Sequence, residues 1–261
     1  MSRRQDGYHD IQTIFQLLDW GDEVHIRPLS RPTISRLPVN YDVPESEDIA
    51  VKAAKLLQSE TGCRRGAEIG VRKCIPPGSG MGGGSSDAAT VLLVLNRLWD
   101  CGLKLDELAC LGAVLGADVP VFVHGRNAMA EGVGERLEPV TLGERYYVLV
   151  FPDFPVSTRE VFSDDMLVRD SNPISLSEAL AGGGRNDCEA VVIKRFPAFA
   201  DLLEALKEWG RPAMTGTGSG IFIPMNDKKS AMSTAKAMKT LYNVRAVRGV
   251  ERSLVHMKLD S

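Results

Sequence analysis

Positive charge is in short supply: 31 Lys and Arg face 34 Asp and Glu, the formal net charge is −3, and no basic run is long enough to track a nucleic-acid backbone. A small-molecule partner fits that balance better than a nucleic acid. Cysteine has no useful pattern either. Cys63, Cys74, Cys101, Cys110 and Cys188 are odd in number and include no Cys-x-x-Cys pair, so neither a disulfide framework nor a zinc site is indicated, and a reduced, cytoplasmic setting fits. No apolar run approaches the ~20 residues of a membrane span, and Arg3-Arg4 leads into polar residues rather than a signal-peptide core. Internal repeats and low-complexity tracts are missing too. What remains is a globular composition over 261 residues, 44% hydrophobic and 25% charged, long enough for two cores. Oligomeric state is left open.

Glycine, by contrast, is concentrated. The run from Ile75 to Ala89 holds Gly78, Gly80, Gly82, Gly83 and Gly84 with Ser79, Met81, Ser85 and Ser86 among and after them. Ordering glycine costs more backbone entropy than ordering any other residue, so such a cluster needs a use. Alternation over 67–73 predicts a strand before it, and Ala88, Ala89, Val91, Leu92, Leu95 and Leu98 predict a helix after it. A glycine loop between strand and helix turns backbone N–H groups toward an anion and adds the positive end of the helix dipole. Ser85, Ser86 and Asp87 are expected to cap the free N–H groups at the helix start, and the hydroxyls suit phosphate oxygens or Mg2+.

Known phosphate loops narrow the reading. A Walker loop ends in Gly-Lys-Ser/Thr, and no lysine follows these glycines. Gly78, Gly80 and Gly83 match G-x-G-x-x-G, but a second helix at 105–115 stands where a dinucleotide fold needs a strand ending in an acid. Neither Ser79 nor Ser219 sits in a nucleophile elbow. A Gly/Ser linker would lack the periodic flanks.

Further along, strands are expected at 22–27, 33–37, 119–123, 128–131, 146–151, 221–223 and 243–247, with one running into Met214. Helices are expected at 48–58, 86–99, 105–115, 198–209 and 228–241. Asn186 with Glu189 three residues on reads as a capping box for a helix through Arg195. The grouping indicates an α+β fold with a domain boundary near 140–144. A second small-residue cluster, Thr215-Gly216-Thr217-Gly218-Ser219-Gly220, is either a flexible hairpin turn or a backbone that must approach a ligand or another segment.

These two loops, with Leu115-Gly116-Ala117-Asp118-Val119-Pro120-Val121-Phe122 between them, resemble the signatures of the GHMP small-molecule kinases. Asp6-Gly7-Tyr8-His9, Gln12-Thr13-Ile14-Phe15, Ala130-Glu131-Gly132-Val133-Gly134-Glu135 and Asn186-Asp187-Cys188-Glu189 extend the likeness over nearly the whole chain, toward the branch that acts on a cytidylyl sugar alcohol in the non-mevalonate isoprenoid pathway. The resemblance implies a two-domain fold, with a ribosomal-protein-S5-like domain over 1–142 and a ferredoxin-like α+β domain over 143–261. It also implies ATP and Mg2+ as cofactors and transfer of the γ-phosphate to the 2-hydroxyl of the acceptor.

Carried over by motif, Asp118 is the general base. Pro76, Pro77, Gly78, Ser79, Gly80, Met81, Gly82, Gly83, Gly84, Ser85 and Ser86 hold ATP, and Tyr8, His9, Phe15, Thr158 and Phe162 hold the acceptor. For Phe15 and Phe162, core packing is the equal alternative. Lys73 is either near the nucleotide or an exposed strand lysine. Another GHMP acceptor, or nucleotide binding without catalysis, are the competing readings. One departure bears on activity: the family's initial strand with Pro-Ala-Lys-Leu-Asn has no counterpart before Asp6, where the sequence opens Met1-Ser2-Arg3-Arg4. The expectation is that a strand and turn of roughly 10 to 20 residues are missing and that the chain as given is weakly active or inactive.

Overall fold

The computed structural model describes residues 9–261. Along the chain it begins with β1 (Ile11–Phe15), β2 (Leu17–Leu18), β3 (Glu23–Leu29), β4 (Ile34–Arg36), α1 (Ile49–Thr61) and β5 (Gly66–Arg72). After the glycine loop come α2 (Gly83–Leu98), α3 (Leu105–Leu115), α4 (Val119–His124), β6 (Ala128–Gly132), β7 (Arg136–Pro139), β8 (Arg145–Val150) and α5 (Thr158–Ser163). The remainder is α6 (Leu176–Glu178), α7 (Glu189–Arg195), α8 (Ala198–Leu206), β9 (Ala213–Met214), β10 (Ile221–Met225), α9 (Lys228–Met238), β11 (Val244–Val250) and α10 (Leu254–Leu259).

The chain forms two compact units and passes between them more than once. One comprises, of the described residues, those from 9 to 20 together with Pro76–Met81 and Met129–Glu251; the other comprises Gly21–Ile75, Gly82–Ala128 and Arg252–Ser261. The first unit contains a five-stranded sheet in the order β2-β11-β8-β10-β9 and a three-stranded sheet β1-β6-β7. In the larger sheet β8 lies between β10 and β11, antiparallel to both, and Val148, Val150, Ile221 and Ile223 bury one face against Val192, Phe199, Leu206 and Met238.

In the second unit β5 is central, antiparallel to β3 with Glu23 opposite Arg72 and parallel to β4. Its core packs Ile69 and Val71 with α1, α2 and α3. Ala50, Ala53 and Ala54 of α1 and Ala88 and Ala89 of α2 are fully buried, small side chains that let helices approach closely. Asp48 accepts from the Ala50 N–H at 3.0 Å to start α1, and Gly62 at φ 62° ends it.

Three sequence expectations are corrected. Residues 119–123 form the helix α4 rather than a strand: Pro120 fits the first turn, Gly125 at φ 64° closes the last, and Val119, Val121 and Val123 are all buried, so packing overrides the β-preference of valine. Helix α2 begins at Gly83, with Gly82 at φ 67° as its cap and no side-chain cap bond, so Ser85, Ser86 and Asp87 lie inside the helix and do not cap it. Asn186 does not form the expected capping box either. Its Oδ1 accepts from the Cys188 N–H, and its Nδ2 donates to the carbonyls of Met214 and Gly216 at 3.1 and 2.7 Å, tying down the second glycine loop.

Candidate functional site

The glycine run divides between the units. Pro76–Met81 belongs to the first and is shaped there by the second glycine loop. Ser219 and Gly220 donate their N–H groups to the carbonyls of Gly78 and Ser79 at 3.1 and 3.0 Å, and the Val156 N–H also donates to Gly78. Thr215 Oγ1 donates to the Gly80 carbonyl at 3.4 Å. Gly80 has φ 69°, and a Cβ there would come within 2.4 Å of the Thr215 carbonyl oxygen, so only glycine fits. The Thr215–Gly220 segment is therefore a close-approach backbone, which resolves the alternative left open by its sequence. Pro76 and Pro77 lead into this clasp, Ser79 is buried within it, and Met81 packs beside Leu149, Phe151 and Val247.

The rest of the run, Gly82–Gly84 with Ser85 and Ser86, opens α2 in the second unit. With no side-chain cap, the first-turn N–H groups and the dipole remain available to an anion. A Cβ on Gly82 would meet the Phe122 ring of α4 at 2.9 Å, so the start of α4 lies close to the start of α2. Asp118 stands one turn before Phe122, at the head of α4. Among the described residues no hydrogen bond or ion pair reaches its carboxylate, and burial raises its pKa above the ordinary aspartate value.

Lys73 is not an exposed strand lysine. Its side chain is 13% exposed, and its Nζ donates to Asp22 Oδ2 and, at 2.9 Å, to Asp87 Oδ2. Burial lowers the lysine pKa, but Asp87 and Asp22 outweigh it and the net direction is upward, so the ammonium stays charged. Burial pushes Asp87 up to about 7 against the opposing pull of Lys73.

In the first unit, His9 stacks on Phe162 with ring centroids 5.2 Å apart, and His9 Nε2 accepts from Arg169 Nε at 3.2 Å. That bond places the proton of the neutral imidazole on Nδ1. Arg169 is held by the carbonyls of Phe162, Asp164 and Leu167. Thr158 Oγ1 lies 2.9 Å from Thr217 Oγ1 of the second glycine loop. Phe15 ends β1, half-buried, and makes no ring contact among the described residues; Tyr8 lies outside them. The structure thus brings together His9 and Phe162 but does not add Phe15 to the stack.

The chain has clear counterparts among known proteins. The sequence profile for the GHMP kinases N terminal domain matches residues 48–126. The 4-diphosphocytidyl-2-C-methyl-D-erythritol kinase of Nitrosococcus oceani is 46% identical over 255 residues, covering 98% of this chain and 91% of that protein. The chain belongs to the 4-diphosphocytidyl-2-C-methyl-D-erythritol kinase family. Its relative of the same name in Halorhodospira halophila is 45% identical, with 99% and 91% of the two chains covered. A crystal structure of a 4-(cytidine 5'-diphospho)-2C-methyl-D-erythritol kinase superposes with a TM-score of 0.80 at 33% identity over 95% of this chain and 93% of that one. Mevalonate kinase of L. major shares the fold alone, at a TM-score of 0.67 and 14% identity over 94% of this chain and 91% of that one. As a member of a kinase family this chain is an ATP-dependent phosphotransferase with the α+β GHMP fold. No helix among the described residues is long and apolar enough to cross a membrane.

Asp22, Asp87, Asn40, Arg169 and Thr217 were not singled out as site residues from sequence. Asp87, inside the glycine-loop motif, and Thr217, inside the second small-residue cluster, carried a local signal. The others reach their partners across long sequence separations.

Proposed function

We propose that this chain transfers the γ-phosphoryl group of ATP to the 2-hydroxyl of 4-diphosphocytidyl-2-C-methyl-D-erythritol, giving the 2-phosphate and ADP, in the non-mevalonate route to isoprenoid precursors. The observation that carries the chemistry is a half-buried carboxylate, Asp118, which has no hydrogen-bond or ion-pair partner among the described residues and heads α4 close to the uncapped start of α2. Phosphoryl transfer needs positioning, charge stabilisation and a group that takes the hydroxyl proton. The first-turn N–H groups of α2, with Ser85 and Ser86, bind phosphate oxygens; residues 76–81 complete the ATP loop. Asp118 accepts the proton as the acceptor oxygen bonds to the γ-phosphorus and the bond to the β-phosphate oxygen breaks. Its raised pKa makes the ionised form a stronger base than an ordinary aspartate.

His9 and Phe162 offer the pyrimidine a stacking face, with Tyr8, Phe15 and Thr158 the remaining acceptor contacts. No cluster of three metal-binding side chains is present among the described residues. The donor set at the α2 start, the hydroxyls of Ser85 and Ser86, fits Mg2+ carried mainly by substrate phosphates. Mg2+ would supply charge neutralisation when bound, with Ser85 and Ser86 as its candidate protein ligands. In sequence terms the ATP-binding domain is 1–142, enclosing the profile match, and the C-terminal GHMP domain is 143–261. All five cysteines are free, in keeping with a cytoplasmic setting.

The test is ADP release from ATP and Mg2+ with the cytidylyl alcohol as acceptor and mevalonate and homoserine as controls. Whatever turnover the chain shows is expected to be confined to the cytidylyl alcohol. Preference for either control overturns the acceptor assignment.

A further inference from the structure

Past Arg72 the backbone leaves the β3–β5 ladder, and residues 73–75 need other partners for their N–H groups. Two side chains supply them. Asn40 Oδ1 accepts the Lys73 N–H at 2.8 Å while its Nδ2 donates to the Lys73 carbonyl at 3.1 Å. Asp22 Oδ1 accepts both the Cys74 N–H at 2.6 Å and the Ile75 N–H at 2.8 Å. The second oxygen of Asp22 accepts from Lys73 Nζ, which also holds Asp87 on α2.

The Asp22 side chain is only 1% exposed. A buried carboxylate is costly unless several donors satisfy it, and here three do. Two backbone N–H groups could be met by a neutral side chain. The charge adds a hold on Lys73, and through it on α2. A Cβ built on Gly83 would stand 3.2 Å from both Asp22 Oδ2 and Lys73 Nζ, so the cluster backs directly onto the first residue of that helix.

We propose that Asp22 is a positioning residue for nucleotide binding: by holding Lys73–Ile75 and, through Lys73, Asp87, it fixes the direction in which the first turn of α2 presents its N–H groups. Asp22 does not touch the substrates in this scheme. The inference rests on the kinase reading above.

The experiment compares wild type, Asp22→Asn and Asp22→Ala. Asn keeps the Oδ1 acceptor and removes the charge; Ala removes both. ATP affinity is measured by calorimetry with Mg-ATP, turnover with the cytidylyl alcohol, and backbone exposure by hydrogen exchange. Loss of hydrogen bonds to a charged group predicts that Asp22→Ala weakens ATP binding about tenfold or more and Asp22→Asn by a smaller factor. The acceptor KM stays within about twofold, because Asp22 acts on the nucleotide end alone. Exchange over 73–75 and the first turn of α2 accelerates in Asp22→Ala.

A merely structural role lowers melting temperature and active fraction but leaves ATP affinity and both KM values of the folded protein unchanged. That result overturns the proposal. If Asp22→Ala does not fold, unchanged ATP affinity in Asp22→Asn overturns it instead. Wild-type protein that binds ATP without phosphorylating the cytidylyl alcohol defeats the acceptor reading and leaves Asp22 to be decided by affinity. Wild-type protein with no ATP affinity overturns both.

Discussion

Lys73 Nζ lies 2.9 Å from Asp87 Oδ2, so the residue that follows β5 is ionically bonded to the helix that follows the glycine loop. With Asp22 as its other partner, this ammonium is the shared counter-charge of two buried carboxylates. Lys73→Met strands both and is expected to destabilise the fold by about 3–5 kcal/mol. Adding Asp87→Asn removes one stranded charge and recovers part of the loss. Urea denaturation of the single and double variants checks this; a Lys73→Met protein as stable as its parent contradicts it.

The same cluster gives stability a pH dependence. Burial raises Asp87 to about 7 in the folded chain, above the ordinary value of 3.8, so the unfolded chain releases this proton first. The folded state is thus relatively favoured at low pH and loses that advantage as pH rises through the window from about 4 to 7. Lys73, raised in the folded state, contributes below the ordinary lysine pKa and loses its contribution only as pH passes its higher folded value, outside that window. Asp87→Asn is therefore expected to be more stabilising, or less destabilising, at pH 8 than at pH 5. Equal effects at both pH values in denaturant titrations count against the assignment.

Asp118→Asn preserves shape and removes the base. Turnover should fall by about 10²- to 10⁴-fold with ATP binding largely kept. Because burial raises the Asp118 pKa, the acid limb of the wild-type rate profile should lie above the ordinary aspartate range, turnover falling as the carboxylate protonates. A variant with near wild-type turnover sinks the assignment.

Much of this was legible in sequence because it is local. Glycine density, the alternation of β5 and the 3.6-residue spacing of α2 and α3 place the loop without any tertiary information. Residues 119–123 misled because a short run of valines has the same pattern in a strand and in a fully buried helix, and only packing decides. Asn186 misled because a side chain able to cap a helix found carbonyls of a distant loop instead. The partners of Lys73 could not be read at all, since Asp22 reaches it across the β3–β5 pairing.

The stack of His9 on Phe162 predicts an effect confined to the acceptor. Phe162→Ala removes a ring contact worth about 0.5–1.5 kcal/mol beyond area burial, so the acceptor KM should rise by roughly 2- to 10-fold while the ATP KM is unchanged. Initial-rate kinetics with each substrate varied separates the two. A rise in the ATP KM alone would mean that the ring serves the other substrate.

Gly80→Ala adds a Cβ where the Thr215 carbonyl oxygen already stands, at a backbone angle that alanine resists. Strain and displacement together predict a loss of about 1–3 kcal/mol in stability and a rise in the ATP KM. Thermal unfolding and ATP kinetics measure both, and a neutral substitution would show that the two loops separate readily.

The backbone clasp of Gly78 and Ser79 with Ser219 and Gly220 makes the glycine motif only half of a two-part inheritance. Transplanted alone into another scaffold, residues 76–81 would arrive without the partner loop that gives them their shape. A sequence search on the first motif alone would therefore gather look-alikes that cannot hold the same conformation. The pair of motifs, in this order, is the portable signature.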